Sequence, residues 1–237
     1  MKRILLILCA FGLCSHTFAT PVSGLYFASK WIENREEEYT ESDVYAFQLG
    51  MLFPDISYMN VPLRFEPEEP VSLAEIQEAD TPFEKGRLLH YYIRDLQTKV
   101  MDRVQLCDSF EGIPDQGREL LVKMLEDHYY YDEVDKATIR EMLDEVLNDE
   151  EDAGVPNHQL RTWHRVLGQY LSMNAFTILL KLKQFNMGVF GVTKETVAEW
   201  AREFPTLIES VDFQTYIAEL ESEFAKALHV PLASISK

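Results

Sequence analysis

The sequence predicts an all-α fold, a single-domain helical bundle of about eight helices, and three observations carry that prediction. Apolar residues recur at three- and four-residue spacing along nearly the whole chain, which is the signature of helices with one buried face. No run of strict apolar-polar alternation stands against them. With 237 residues at 46% hydrophobic content, the chain is long enough for one domain with a substantial core and too short for two large ones. The 14 Phe, 11 Tyr and 3 Trp exclude a disordered chain.

The first element is an address. Lys2 and Arg3 precede the apolar run Ile4 to Cys14, and Thr17-Phe18-Ala19 places small residues before a cleavage point. Residues 1–19 therefore read as a signal peptide, and the run is too short to span a bilayer as a helix. Residues 20–237 are the helical domain. The chain is expected to be exported, to a periplasmic or secreted location. Cleavage takes away two cations and no acid, so the charge moves from −18 to −20. Cys9 and Cys14 leave with the signal, and Cys107 remains alone, without a disulfide partner. No cation flanks it to lower its pKa, so it reads as packing rather than as a nucleophile.

Helix one covers roughly 23–36. Helix two starts near Ser42-Asp43, carries Val44, Phe47 and Met51, and stops before Pro54. Pro62, Pro67 and Pro70 make the stretch 60–70 a loop. Thr81-Pro82-Phe83-Glu84 is a capping box with Pro at the first helical position, and the helix it opens runs to about Val104. Asp115 starts a fourth helix with Leu120, Leu121, Met124 and Leu125. Ile139, Leu143, Val146 and Leu147 mark a fifth. A long sixth, about 157 to 185, carries Leu160, Trp163, Leu167, Tyr170, Leu171, Ile178 and Leu182. Thr193 opens a seventh, and Asp212 opens the last. There is no internal repeat and no domain-splitting linker.

Charge narrows the function classes. With 40 acids against 22 Lys and Arg, nucleic-acid binding through phosphates is disfavoured, and so is docking on anionic lipid. No transmembrane segment is expected. The familiar signatures of a nucleophile elbow, a phosphate-binding Gly-rich loop, His-Glu-x-x-His and paired Cys are missing from the sequence. The run Glu141 to Asp152 holds seven acids in twelve residues but lacks the Gly that a calcium loop requires, so it reads as a solvated helix end. His90 lies one turn after Gly86, where a neighbouring helix can approach closely. His128 and His164 fall on apolar faces, the usual position of a satisfied core histidine. Three helices that point His inward are also how a bundle builds a buried metal site.

Four segments together resemble a known family. They are Leu25-Tyr26-Phe27-Ala28 with Trp31-Ile32; Ala46-Phe47-Gln48-Leu49-Gly50-Met51-Leu52-Phe53-Pro54-Asp55-Ile56; Gly86-Arg87-Leu88-Leu89-His90; and Leu125-Glu126-Asp127. The chain resembles the secreted proteins grouped with bacterial zinc-dependent phospholipase C, distantly similar to fungal single-strand nucleases. The C-terminal half, with Trp163-His164 and Trp200, is similar to uncharacterised members of that group. The resemblance implies an all-helical fold, a zinc cluster and phosphodiester hydrolysis, with zinc activating a water. It implies Asp55 as the Pro-Asp ligand and His90 as the ligand of the Gly-x-x-x-His helix, with Asp127 and His128 as further metal candidates.

Departures from the family pattern weigh against a full cluster. Ser23-Gly24 stands where a His is usual. Arg94 stands four residues after His90, where a carboxylate would nearly eclipse it and share one ion. The segment Val61 to Glu66 carries no His. No catalytic residue can be named. The expectation is an exported phospholipase C-like protein, a pseudoenzyme or reduced-metal member with weak or no phosphodiester hydrolase activity, holding zinc at low stoichiometry or none. The alternatives are an active zinc-dependent hydrolase of a phosphodiester or phospholipid substrate, and an unrelated exported helical protein that binds a protein partner.

Overall fold

Side-chain caps set most of the helix starts. Thr40 and Asp43 cap each other's backbone to open one helix, and Ser72 and Glu75 do the same for another. Thr81, Asp135, Asn174, Thr193 and Ser210 each accept a hydrogen bond from a first-turn N–H. The computed structural model describes residues 21–35, 37–59, 67–110, 117–186 and 192–236. They form twelve α-helices: α1 (Pro21–Glu33), α2 (Glu41–Leu52), α3 (Leu73–Glu78), α4 (Pro82–Arg103), α5 (Leu106–Ser109), α6 (Arg118–Tyr129), α7 (Lys136–Met142), α8 (Asn148–Asp152), α9 (Asn157–Tyr170), α10 (Ala175–Gln184), α11 (Lys194–Ile208) and α12 (Val211–Leu228). Short 3-10 turns follow at Phe53–Met59, Tyr131–Glu133 and Leu232–Ser234. No strand is found among the described residues, and the fold is all-α as the sequence predicts.

The helix count exceeds the expected eight for identifiable reasons. The stretch 157–185 is two helices, because Asn174 caps α10 by accepting from the Thr177 N–H at 2.8 Å. Ile178 and Leu182 keep the apolar period across the break, which is why it reads as one helix in the sequence. The fifth expected helix ends early, at Met142, so that Leu143, Val146 and Leu147 fall in a turn at 143–147, and the short α8 follows within the acidic run. Helices α3 and α5 are additions that the sequence reading leaves out. The expected signal peptide and the His-free segment 61–66 lie outside the described residues, as does Asp115.

Helix α4 is the hub, packed against α1, α2, α3 and α12. Its contact with α2 is backbone-close. A Cβ on Gly86 would stand 1.9 Å from the Phe47 carbonyl oxygen, and one on Gly50 would stand 2.0 Å from the Phe83 carbonyl oxygen. Only glycine allows the two helices this separation. Helix α6 joins the two halves by touching α1, α10 and α11. The core contains all three Trp, with Trp31, Trp163 and Trp200 fully buried. No helix among the described residues is long and apolar enough to cross a membrane.

Candidate functional site

Helix α6 is buried on every side from Leu121 to Asp127, and it carries Lys123, Glu126 and Asp127 inside. Ionisable groups are rarely placed there without partners, because burial strips them of water. Their partners define a polar centre in the apolar core.

Asp127 is 0% exposed and acts as the cap that α1 lacks in its own sequence. Its Oδ1 accepts from the backbone N–H groups of Val22 at 3.0 Å and Ser23 at 2.8 Å. Its Oδ2 accepts from the Tyr170 hydroxyl at 2.6 Å. Glu126, one position away, accepts from the Tyr216 hydroxyl at 2.6 Å and from Gln97 Nε2 at 2.6 Å. The Ser23 hydroxyl also donates to it. Burial pushes both carboxyls up to about 7, and these donors pull back only part of the shift. Burial also drives the Tyr170 and Tyr216 phenols far above their ordinary range, helped by the carboxylates they face.

His90 projects from α4 into the same region. Its Nδ1 lies 2.9 Å from the Met51 carbonyl oxygen. A carbonyl only accepts, so Nδ1 carries the proton and Nε2 keeps a lone pair. Burial holds the His90 pKa down at about 3, and the fields of Arg94 and Lys123 lower it further. Asp55, in the 3-10 turn after α2, is buried and acts on both Lys123 and Tyr170. Lys123 is 5% exposed; burial lowers its pKa, opposed by Glu126, Glu119 and Asp55. Arg94 stacks its guanidinium 5.0 Å from the Tyr91 ring centre.

Three of the four candidate metal residues, Asp55, His90 and Asp127, therefore belong to one centre. His128 does not. It sits about 100° around α6 from Asp127, edge-on to Phe204 at 5.3 Å and Phe176 at 6.3 Å. His164 is a satisfied core histidine, as its apolar face suggests. Its two ring nitrogens meet the Leu143 carbonyl oxygen at 2.9 Å and Glu150 Oε1 at 2.8 Å. Glu150 is thereby an exception within the acidic run, buried instead of solvated. Cys107 is half-buried, its thiol pushed up to about 11 by burial, which fits packing.

The donor set was tested against a zinc ion. Zinc needs three or four lone pairs from imidazole, thiolate or carboxylate aimed at one point. Among the described residues, no three His, Cys, Asp or Glu side chains are so grouped. His90 Nε2 is prepared as a ligand would be, with a carbonyl holding the other nitrogen. Asp127, however, spends both oxygens on three donors. Lys123 and Arg94 offer no lone pair when charged, and both exert their field on His90. The residues as arranged do not fit a zinc cluster.

Lys123, Tyr170, Tyr216 and Gln97 are the members of the centre that sequence reasoning misses. The signal in the sequence was the nearly unbroken apolar run Leu120 to Leu125, which leaves Lys123 little room on a solvent face. Comparison of the chain with family models, with curated proteins and with solved structures returned no match.

Proposed function

We propose that the chain is an exported phospholipase C-like protein that keeps a helical frame without the zinc chemistry, and that it acts as a binding or interaction protein. The resemblance in the Pro54-Asp55 and Gly86-to-His90 segments supplies the family, and the buried centre supplies the departure. The observation that carries this reading is Lys123, a buried cation set among Glu126, Glu119 and Asp55. An ammonium group in that position does electrostatically what a metal ion would do, neutralising buried carboxylates, but it activates no water.

The test is hydrolysis of bis(p-nitrophenyl) phosphate and of phosphatidylcholine vesicles, with and without added zinc. No turnover above buffer is expected in either case. Zinc-dependent turnover that His90→Ala abolishes would overturn the reading. It would favour the second reading, an active zinc-dependent phosphodiester hydrolase. The observation on that side is the His90 Nε2 lone pair, oriented by the Met51 carbonyl.

A further inference from the structure

A second region of the molecule carries an unusual distribution of charge. A cavity of about 680 Å³ opens between α7 and α9, lined by Arg140, Arg161 and Arg165. Its volume falls in the range of small-molecule sites. Three arginines elsewhere pair with acids, Arg87 with Glu84, Arg103 with Glu219 and Glu223, and Arg202 with Glu199 and Glu203, while Arg35 and Arg94 lie over the Trp31 and Tyr91 rings and Arg118 donates to the Cys107 carbonyl. Acids outnumber Lys and Arg by 40 to 22, so a partner is statistically easy to find. Yet among the described residues none of the three cavity arginines forms an ion pair.

The arrangement is also self-repelling. Arg161 and Arg165 lie one turn apart on α9, where like charges destabilise a helix. Arg140 brings a third cation from α7 to the same wall. Arg161 is held in place: its Nε donates to Asn157 Oδ1 at 2.8 Å, and Asn157 Nδ2 donates to Glu151 at 2.5 Å. Its two Nη groups are left for another acceptor. The wall between the arginines is firm, because His164 is fixed at both ring nitrogens and Leu143 is buried.

From these observations we infer that the α7–α9 cavity is a binding site for a small organic phosphate, a phosphomonoester whose oxygens are gripped by Arg140, Arg161 and Arg165. Planar guanidinium forks match a phosphate's oxygens two at a time. Leu143 and Ala137 supply an apolar surface for the carbon part of the ligand. Glu141 and Asp144 also line the cavity and oppose the arginines, leaving the wall one charge positive. The whole chain at −18 repels extended polyanions, so nucleic acid and anionic bilayers are poor occupants. A compact dianion that enters the cavity gains three close cations against two acids.

Calorimetric titration of the exported chain at constant ionic strength tests the site, with glucose 6-phosphate, inorganic phosphate and glucose as probes. Glucose 6-phosphate is expected to bind and glucose not to bind. Arg161→Gln with Arg165→Gln should weaken binding by about tenfold or more for each guanidinium removed. Glu141→Gln should strengthen it. Inorganic phosphate binding as tightly as the ester, and lost in the same double variant, supports the anion site and makes free phosphate its source. The inference is overturned if neither phosphate binds, or if the double variant binds both undiminished. These side chains are exposed, so unchanged circular dichroism will show that the variants fold. The cavity shares no residue with the buried centre, so either result leaves the zinc question separate.

Discussion

Lys123 and Arg140 are both cations of a strongly acidic chain, and the protein treats them in opposite ways. Lys123 is enclosed in the core and faces Glu126, Glu119 and Asp55. Arg140, with Arg161 and Arg165, is exposed and forms no ion pair among the described residues. In the buried centre Glu126 and Asp127 each have their donors, and Lys123 lies in the field of the acids. The cavity is unfinished, with positive charge presented outward. The difference separates charge that holds a fold together from charge that is available to a ligand. It also predicts that changes at the two places will differ sharply in cost.

The largest effect is expected at Lys123. Lys123→Met removes the cation and leaves Glu126 and Asp55 buried without it, which should cost about 3 kcal/mol or more at pH 8. At pH 5 the loss should shrink, because Glu126, with a pKa near 7, is then protonated. Urea unfolding at both pH values measures this. A loss below about half a kcal/mol would break the contrast with the cavity. Asp127→Ala comes next. It strips the cap from the Val22 and Ser23 N–H groups and the acceptor from Tyr170. About 3 kcal/mol is expected, with hydrogen exchange at the start of α1 accelerating more than exchange in α10.

The pH dependence of the intact protein is a third, smaller effect. Glu126 and Asp127 have folded pKa values of about 7, above their ordinary 4.5 and 3.8. The native state therefore binds their protons more tightly than the unfolded chain. Their contribution is complete below about pH 4 and is lost as pH rises through about 7. His90 runs the other way. Its pKa is held at about 3 against an ordinary 6.5, so its contribution is present above 6.5 and is lost as pH falls toward 3. Stability should peak on the acid side of neutrality. Glu126→Gln should flatten the alkaline limb of a melting-temperature curve and leave the acid limb in place. The smallest effect belongs to the cavity: without ligand, Arg161→Gln should change stability by less than about 0.5 kcal/mol.

Local chemistry was legible in the sequence, and tertiary pairing was not. Thr81 caps α4 at the position its motif indicates, although Glu84 turns to Arg87 instead of completing the box. The Gly86-to-His90 spacing correctly indicates a close helix beside His90, since Phe47 and Met51 of α2 occupy that place. The apolar faces of His128 and His164 were likewise readable. The capping box at Ser72 and Glu75 was there to be read as well, but the Pro-rich stretch before it masks a six-residue helix. The break at Asn174 is hidden because apolar periodicity runs through it. Lys123 is hidden for a deeper reason. Glu119 and Glu126 stand one turn away from it on α6, but the third acid, Asp55, and the burial itself are supplied by the fold and not by spacing.

The central claim is that the buried centre is neutralised by the protein's own side chains and needs no metal. Zinc content tests it most directly, measured by elemental mass spectrometry on the purified protein from zinc-supplemented medium after dialysis. The account predicts no zinc above a blank, and the same value for wild type and His90→Ala. One or more zinc ions per wild-type chain, lost in His90→Ala, would contradict it.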